Sequence, residues 1–324
     1  YHKNDINSQM ETFSTTNDST ASFPLPYHGH FSAHREDIFS VDEFPLAVIW
    51  VKDHPDLGLH THDFTELVLV LTGSARHMTE EGEYLLHPGD VFVIPPGVAH
   101  GYTECDGLEL VNIVYETDRL NLPNIGLKGF SGYRALFTLE PAFRSRHKFK
   151  GRLHLPPHKC REMTQLMIDL QQELWHHKDG FHFICLTLLM QIVGQLSRIY
   201  TEMETSTSRS FLRLARVLQH IESHYADDLK LEDLAKIAGM SIRTLQRCFQ
   251  ETFAMSPIHF LNRLRVGNAC KELLRSNSTI IEVAESVGIV DSNYFSRLFQ
   301  KLVGISPSAY RKTPSSFATP PSVH

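Results

Sequence analysis

Leu231-Glu232-Asp233-Leu234-Ala235-Lys236-Ile237-Ala238-Gly239-Met240-Ser241-Ile242-Arg243-Thr244-Leu245-Gln246-Arg247-Cys248-Phe249-Gln250-Glu251 is the stretch whose pattern decides the fold. Apolar residues recur at helical spacing on both sides of Gly239. Ala235 supplies a small side chain where two helices cross closely, and Gly239 permits the positive φ of a sharp turn. Ser241 suits the N-cap of the helix that follows. In that helix Leu245, Phe249 and Phe253 fall on the buried side, which leaves Arg243, Thr244, Gln246, Arg247 and Gln250 outward. Those five can bond base edges and phosphates.

About fifty residues on, the design repeats. Ile281-Glu282-Val283-Ala284-Glu285-Ser286-Val287 leads to a turn at Gly288-Ile289-Val290-Asp291 and a helix beginning Ser292-Asn293-Tyr294-Phe295-Ser296-Arg297-Leu298-Phe299. Ala284 matches Ala235 and Gly288 matches Gly239, while Phe295, Leu298 and Phe299 form the core face. Ser292, Asn293, Ser296 and Arg297 can then face a groove. Leu261, Leu264, Ala269, Leu273 and Leu274 mark an amphipathic helix between the two units. One such unit is common in helical bundles; two in tandem, at about 231–253 and 280–303 with matching offsets, point to double-stranded DNA. Entering successive major grooves on one DNA face, their second helices must sit about 34 Å apart.

The charge agrees. The 324-residue chain carries −6 overall, yet residues 211–312 hold 14 Lys and Arg against 10 Asp and Glu, so the basic excess sits where phosphate would bind. Five scattered cysteines without a C-x-x-C pair indicate neither a disulfide framework nor a zinc ribbon, and fit a reducing cytoplasm. The longest apolar run, Phe181 to Val193, contains His182, Thr187 and Gln191 and is shorter than the ~20 residues that span a bilayer. Tyr1 to Pro26 is polar and lacks the pattern of a leader. The expectation is a soluble cytoplasmic protein with no membrane partner.

Upstream the texture changes. Residues 1–40 lack periodicity and read as a flexible arm. From 41 to 157, short runs such as Ala47–Val51, Leu67–Leu71, Val91–Ile94 and Leu110–Val114 alternate with turn signals at Gly73, Glu80–Gly82, Pro88–Asp90 and Pro95–Gly97, which predicts a β-barrel or sandwich. Residues 117–157 read as irregular cover for one barrel mouth. Met163, Leu166, Met167, Leu170 and Leu174 open a helical pair over 158–200. The polar stretch 201–210 reads as the interdomain linker, 211–312 as the all-α DNA-binding domain, and 313–324 as a disordered tail. The fold class is α+β multidomain.

Within the barrel, His60 and His62 stand two apart with Glu66 four further on, so all three can share one strand face, and His100 can join from a neighbouring strand. Three imidazoles and a carboxylate suit Zn, Ni, Fe, Mn or Cu. They equally suit a polar ligand pocket in which they bond one another, and burial without partners would cost on the order of a few kcal/mol each. His176-His177 and His147-Lys148 read as solvated surface.

These residues carry a family resemblance. Residues from about Leu214 to Lys312 resemble the C-terminal domain of AraC/XylS-type transcription regulators, through Gly288, Asp291, the run Asn293–Phe299, and Gly304-Ile305-Ser306-Pro307-Ser308-Ala309-Tyr310-Arg311; Ile289 stands where that family usually has Phe. The segments 58–73 and 89–100, with Gly73, Gly89 and Gly97, resemble the paired cupin signatures and depart from them at His54 and Glu104. With Leu110–Tyr115 and Asp118–Leu122, the chain from about Phe44 onward most resembles the rhamnose-responsive branch. The resemblance implies a non-enzymatic, ligand-responsive homodimer that activates carbohydrate catabolism genes through RNA polymerase. Its effector would be a sugar held by His60, His62, Glu66 and His100. The rival expectation is a metal-dependent cupin enzyme fused to a DNA-binding domain.

Overall fold

A computed structural model describes residues 31–33, 38–39, 44–120, 127–144, 153–203 and 205–312. Most of the expected arm and the whole 313–324 tail lie outside these residues. The N-terminal half is one curled, eight-stranded sheet: β1 (Phe31–Ala33), β2 (Leu46–Val51), β3 (Leu57–His62), β4 (Thr65–Thr79), β5 (Gly82–Leu86), β6 (Asp90–Ile94), β7 (His100–Tyr115) and β8 (Leu153–His154). β7 is the spine and pairs antiparallel with β2, β3 and β4, while β4 also carries β5 and β6. β1 is a correction to the arm assignment: residues 31–33 lie parallel to His60–His62, using the hydrogen-bonding edge that β3 leaves open.

Unbroken apolar runs in β4, β6 and β7 follow from burial on both faces. Val68, Val70, Phe92, Ile94, Leu108 and Leu110 pack on the inner face. Leu67, Leu69, Val91, Val93, Val111 and Ile113 face the helices. Gly73 does not end the strand, as its turn signal suggests. It sits at φ +71 where a Cβ would overlap the carbonyl of Gly107, and the β4–β7 register shifts repeatedly between Val70 and Arg76. The two longest strands bend there through bulges.

Residues 131–144, expected to be irregular, are helical: α2 (Ser131–Arg134, following the short α1, Thr117–Leu120) runs through a π turn at Ala135–Leu139 into α3 (Glu140–Arg144). The wide turn breaks the 3.6-residue period by which such a helix is recognised. Two long helices follow, α4 (Pro157–His176) and α5 (Phe181–Glu202). α5 is long and apolar enough to cross a membrane by composition. Its Cys185, Leu189, Ile192, Leu196 and Tyr200 are instead buried in the chain's own core.

The expected linker over 201–210 is also corrected. α5 reaches Glu202, and α6 (Ser206–Ser223) begins where Thr205 accepts a capping bond from the Ser208 N–H at 3.0 Å. The Ser/Thr run is a helix cap rather than a tether. Beyond it come α7 (Leu231–Ala238), α8 (Ile242–Phe253), α9 (Pro257–Arg275), α10 (Ile280–Ser286), α11 (Ser292–Val303) and α12 (Pro307–Arg311).

The apolar core does not divide at that junction. One cluster runs from Leu67 and Val91 in the sheet through Met167 and Leu189 to Leu218, Leu245 and Phe260. A second gathers Val266, Cys270, Val283, Phe295, Phe299 and Tyr310. The boundary falls inside α9. A buried Arg134 in α2 reinforces the larger body, donating Nη1 and Nη2 to the two carboxylate oxygens of Glu222 in α6, each at 2.6 Å. Phe143 of α3 meets Phe211 of α6 edge-on at 5.4 Å.

Glu222→Gln is expected to lower unfolding free energy by about 3 kcal/mol, because it removes the negative charge that faces a buried guanidinium. Arg134→Met combined with Glu222→Leu should recover most of that loss. Denaturant titration of the three proteins checks both, and a single variant as stable as the parent would contradict the pair's role.

Candidate DNA-reading helices and a buried histidine site

Both predicted helix-turn-helix units form. In the first, Ser241 caps α8 by accepting from the Thr244 N–H, and Gly239 takes φ +59. Leu245 and Phe249 are fully buried, while Arg243, Gln246, Arg247 and Gln250 are exposed. Thr244 is half-buried with its hydroxyl 2.8 Å from that of Ser241, and Arg247 reaches Glu251 at 3.0 Å. In the second, Asp291 caps α11 by accepting from the N–H groups of Asn293 and Tyr294, so its charge is spent on the helix end. Asn293 and Arg297 are exposed; Ser292 and Ser296 are half-buried, and the Ser296 hydroxyl donates to the Ser292 carbonyl at 2.9 Å. Leu298, assigned to the core face, is half-buried. Tyr294 and Val290 are exposed neighbours of this set that helical spacing alone did not single out. Tyr294 takes the position that Thr244 holds in the first unit, and its hydroxyl accepts from Asn262 of α9 at 3.2 Å.

The other site lies inside the sheet. His60 pairs directly across from His100, and Glu66 lies on the adjoining strand β4 on the same face as Val68 and Val70. All four predicted residues are buried. Their backbone supports set the ring nitrogens: Nδ1 of His62 meets the Phe64 carbonyl at 2.7 Å, that of His60 the Gly58 carbonyl at 3.1 Å, and that of His100 the Val98 carbonyl at 3.1 Å. A carbonyl can only accept, so each Nδ1 carries the proton and each neutral ring is left with Nε2 as its lone pair.

Nε2 of His62 and of His100 lie 3.2 Å and 3.4 Å from the same oxygen, Glu66 Oε2. Lone pairs facing a carboxylate at that range need a shared cation, either protons on the rings or a metal. Donors on a tetrahedron about 2.0–2.1 Å from zinc are separated by about 3.3–3.4 Å, which these spacings match. His62, Glu66 and His100 therefore form a fitting metal triad. His60 stands beside the triad rather than within it, its ring 4.1 Å from that of His100. Burial and the neighbouring His100 push His60 down to about 4, so its ring is neutral. Burial pushes Glu66 upward, but the bonds to His100 and His62 together outweigh it and hold the carboxyl well below its usual range.

Sequence spacing missed His77. Its buried ring lies 5.8 Å from that of His100 and 5.1 Å from that of Tyr102. Even-numbered residues of β4 point inward before Gly73 and odd-numbered ones after it, so strict alternation assigns His77 to the wrong face. His77, Thr79, His100 and the β6 end Val93–Pro95 line a small cavity with Val98, and Pro141 of α3 also borders it. α3 in turn packs against α8, the first reading helix.

Comparison with known proteins places both halves. Residues 234–313 match the family described as "Helix-turn-helix domain", and residues 51–120 match "AraC-like ligand binding domain". The chain is 29% identical over 277 residues to the HTH-type transcriptional activator RhaR of Pectobacterium carotovorum subsp. carotovorum (strain PC1), covering 86% of this chain and 94% of that protein. It is 28% identical over 280 residues to the HTH-type transcriptional activator RhaS of Escherichia fergusonii, covering 85% and 96%. Among solved structures, it is similar to the C-terminal domain of AraT, a response regulator from Geobacillus stearothermophilus, at 34% identity over 33% of this chain and 91% of that one, with a TM-score of 0.30. With its tandem helix-turn-helix region and its β-rich sensor, the chain belongs to the AraC-type transcription regulators.

Proposed function

We propose that this regulator activates carbohydrate catabolism genes in response to a sugar bound in the curled sheet. The observation that carries the reading is the inner site itself. Three imidazoles anchored by backbone carbonyls and one ionised carboxylate converge beside the rings of His77 and Tyr102. Hydrogen-bonding groups beside aromatic faces suit a molecule with hydroxylated edges and an apolar ring face. The names of RhaR and RhaS as transcriptional activators support the sign of regulation, and with it a contact to RNA polymerase.

A divalent transition metal, Zn, Ni, Fe or Mn, belongs to this proposal, held by His62, Glu66 and His100 with His60 alongside. When bound it would supply a Lewis-acid anchor for an oxygen of the effector. The chain's own residues do the rest: Glu66 keeps its charge, His60 stays neutral, and the carbonyls of Phe64, Gly58 and Val98 hold the rings in place. Such a site is an anchor for recognition, and no turnover of the sugar is proposed. An effector at this site would have to widen the water-sized cavity beside His77 and His100, which would press on Pro141, and α3 would pass the displacement to α8. A coupling of about 1–3 kcal/mol is enough to change DNA affinity several-fold.

A homodimer is also proposed, through the α4–α5 pair, where Trp175 and Phe183 are each 69% exposed and Ile184 lies beside them. A DNA partner makes the cytoplasm the working location.

Two experiments test the reading. Metal analysis after incubation with Zn and dialysis should find about one ion per wild-type chain. The folded variant His62→Gln/His100→Gln should hold none, and equal loading of the two would refute the triad. Arg243→Ala and Arg297→Ala should each weaken binding to a selected DNA by about 1–3 kcal/mol, read by fluorescence anisotropy. Unchanged affinity and specificity in both would remove the assignment of α8 and α11. A thermal-shift and DNA-affinity screen of sugars and uronic acids completes the test, and indifference to all of them would refute sugar sensing.

A further inference from the structure

The two reading units are not identical at their tips. After Gly239, Met240 donates its N–H to the Ala235 carbonyl at 3.0 Å, and the next residue, Ser241, is already the N-cap of α8. After Gly288, Ile289 makes the equivalent bond to Ala284 at 2.9 Å and is buried, but the N-cap of α11 is Asp291. Val290 is therefore one extra residue in the second turn. It is 85% exposed, more than any other large apolar side chain among the described residues. The turn that carries it is pinned, since a Cβ on Gly288 would overlap the backbone of Ala226.

From this geometry we infer that Val290 reads a thymine, its side chain packing on the C5-methyl group in the major groove entered by α11. Helix-turn-helix readers contact bases through the N-terminal end of the second helix, and Val290 stands one residue before that helix's cap, beside the outward Asn293. Valine has no donor or acceptor in its side chain. The thymine methyl is the one apolar group that a major-groove base edge offers. Asp291 does not oppose the approach, because its carboxylate is turned onto the N–H groups of Asn293 and Tyr294. The inference rests on α11 being a DNA reader, and its test separates the two claims.

The full chain is used to select its preferred DNA from a random pool. Each thymine in the half read by α11 is then replaced singly by deoxyuridine, which removes only the methyl group. Wild type should bind about fourfold more weakly at one such position, the effect of one buried methyl. Val290→Ala and Val290→Ser should bind the thymine and uracil forms of that site equally. A methyl effect of the same size in both variants, or no methyl effect in wild type, would overturn the thymine assignment while leaving α11 a reader. Loss of transcription activation in the variants with thymine preference intact would overturn it too, in favour of an apolar protein partner. Failure to enrich any sequence would overturn the reading role of α11 and this inference with it.

Discussion

One continuous apolar core ties the sensor sheet to the first reading helix. Leu67 and Leu69 on the outer sheet face, Leu136 and Leu139 in the π turn, Leu214 and Leu218 in α6, and Leu245 and Phe249 in α8 belong to a single buried cluster. Close-packed interiors have low compressibility and transmit displacement instead of absorbing it locally. The consequence is mechanical: the sensor and the first helix-turn-helix unit share one core, and the second unit joins it through α9 and through the seat of Gly288 against Ala226. The Arg134–Glu222 pair crosses that packing, its two 2.6 Å bonds joining α2 to α6.

That architecture gives the inner site a route outward. The register shifts around Gly73 bring His77 and Thr79 onto the face of Glu66, and the cavity they line is bordered by Pro141. From Pro141 to α8 is one helix of packing. On the proposed reading, a ligand that widens this cavity would act on the wall that supports the first reader. The orientation of that reader relative to the second is then the variable that a ligand can bias.

How much of this was legible in the chain differs by region, for physical reasons. The two reading units were legible because Ala235, Gly239 and Ser241 have counterparts in Ala284, Gly288 and Asp291, so each supports the other. His60, His62 and Glu66 were legible because parity along a strand is rigid. His77 was not, because bulges reverse parity. Residues 131–144 were read as irregular because a π turn spoils the helical period, and Ser206–Ser210 as linker because capping residues and loop residues have the same composition. The exposure of Val290 was not legible, because beside Ile289, which is buried, it reads as a second core residue in a turn.

The most direct test of the shared-core account is native-state hydrogen exchange on the full-length protein. Amides of β6, α6 and α8 should exchange through openings of one common free energy, while those of α11 exchange through a separate and smaller one. Protection of α8 that follows α11 and departs from β6 would contradict the account, since the division would then lie between the sensor and the first reader instead of within α9.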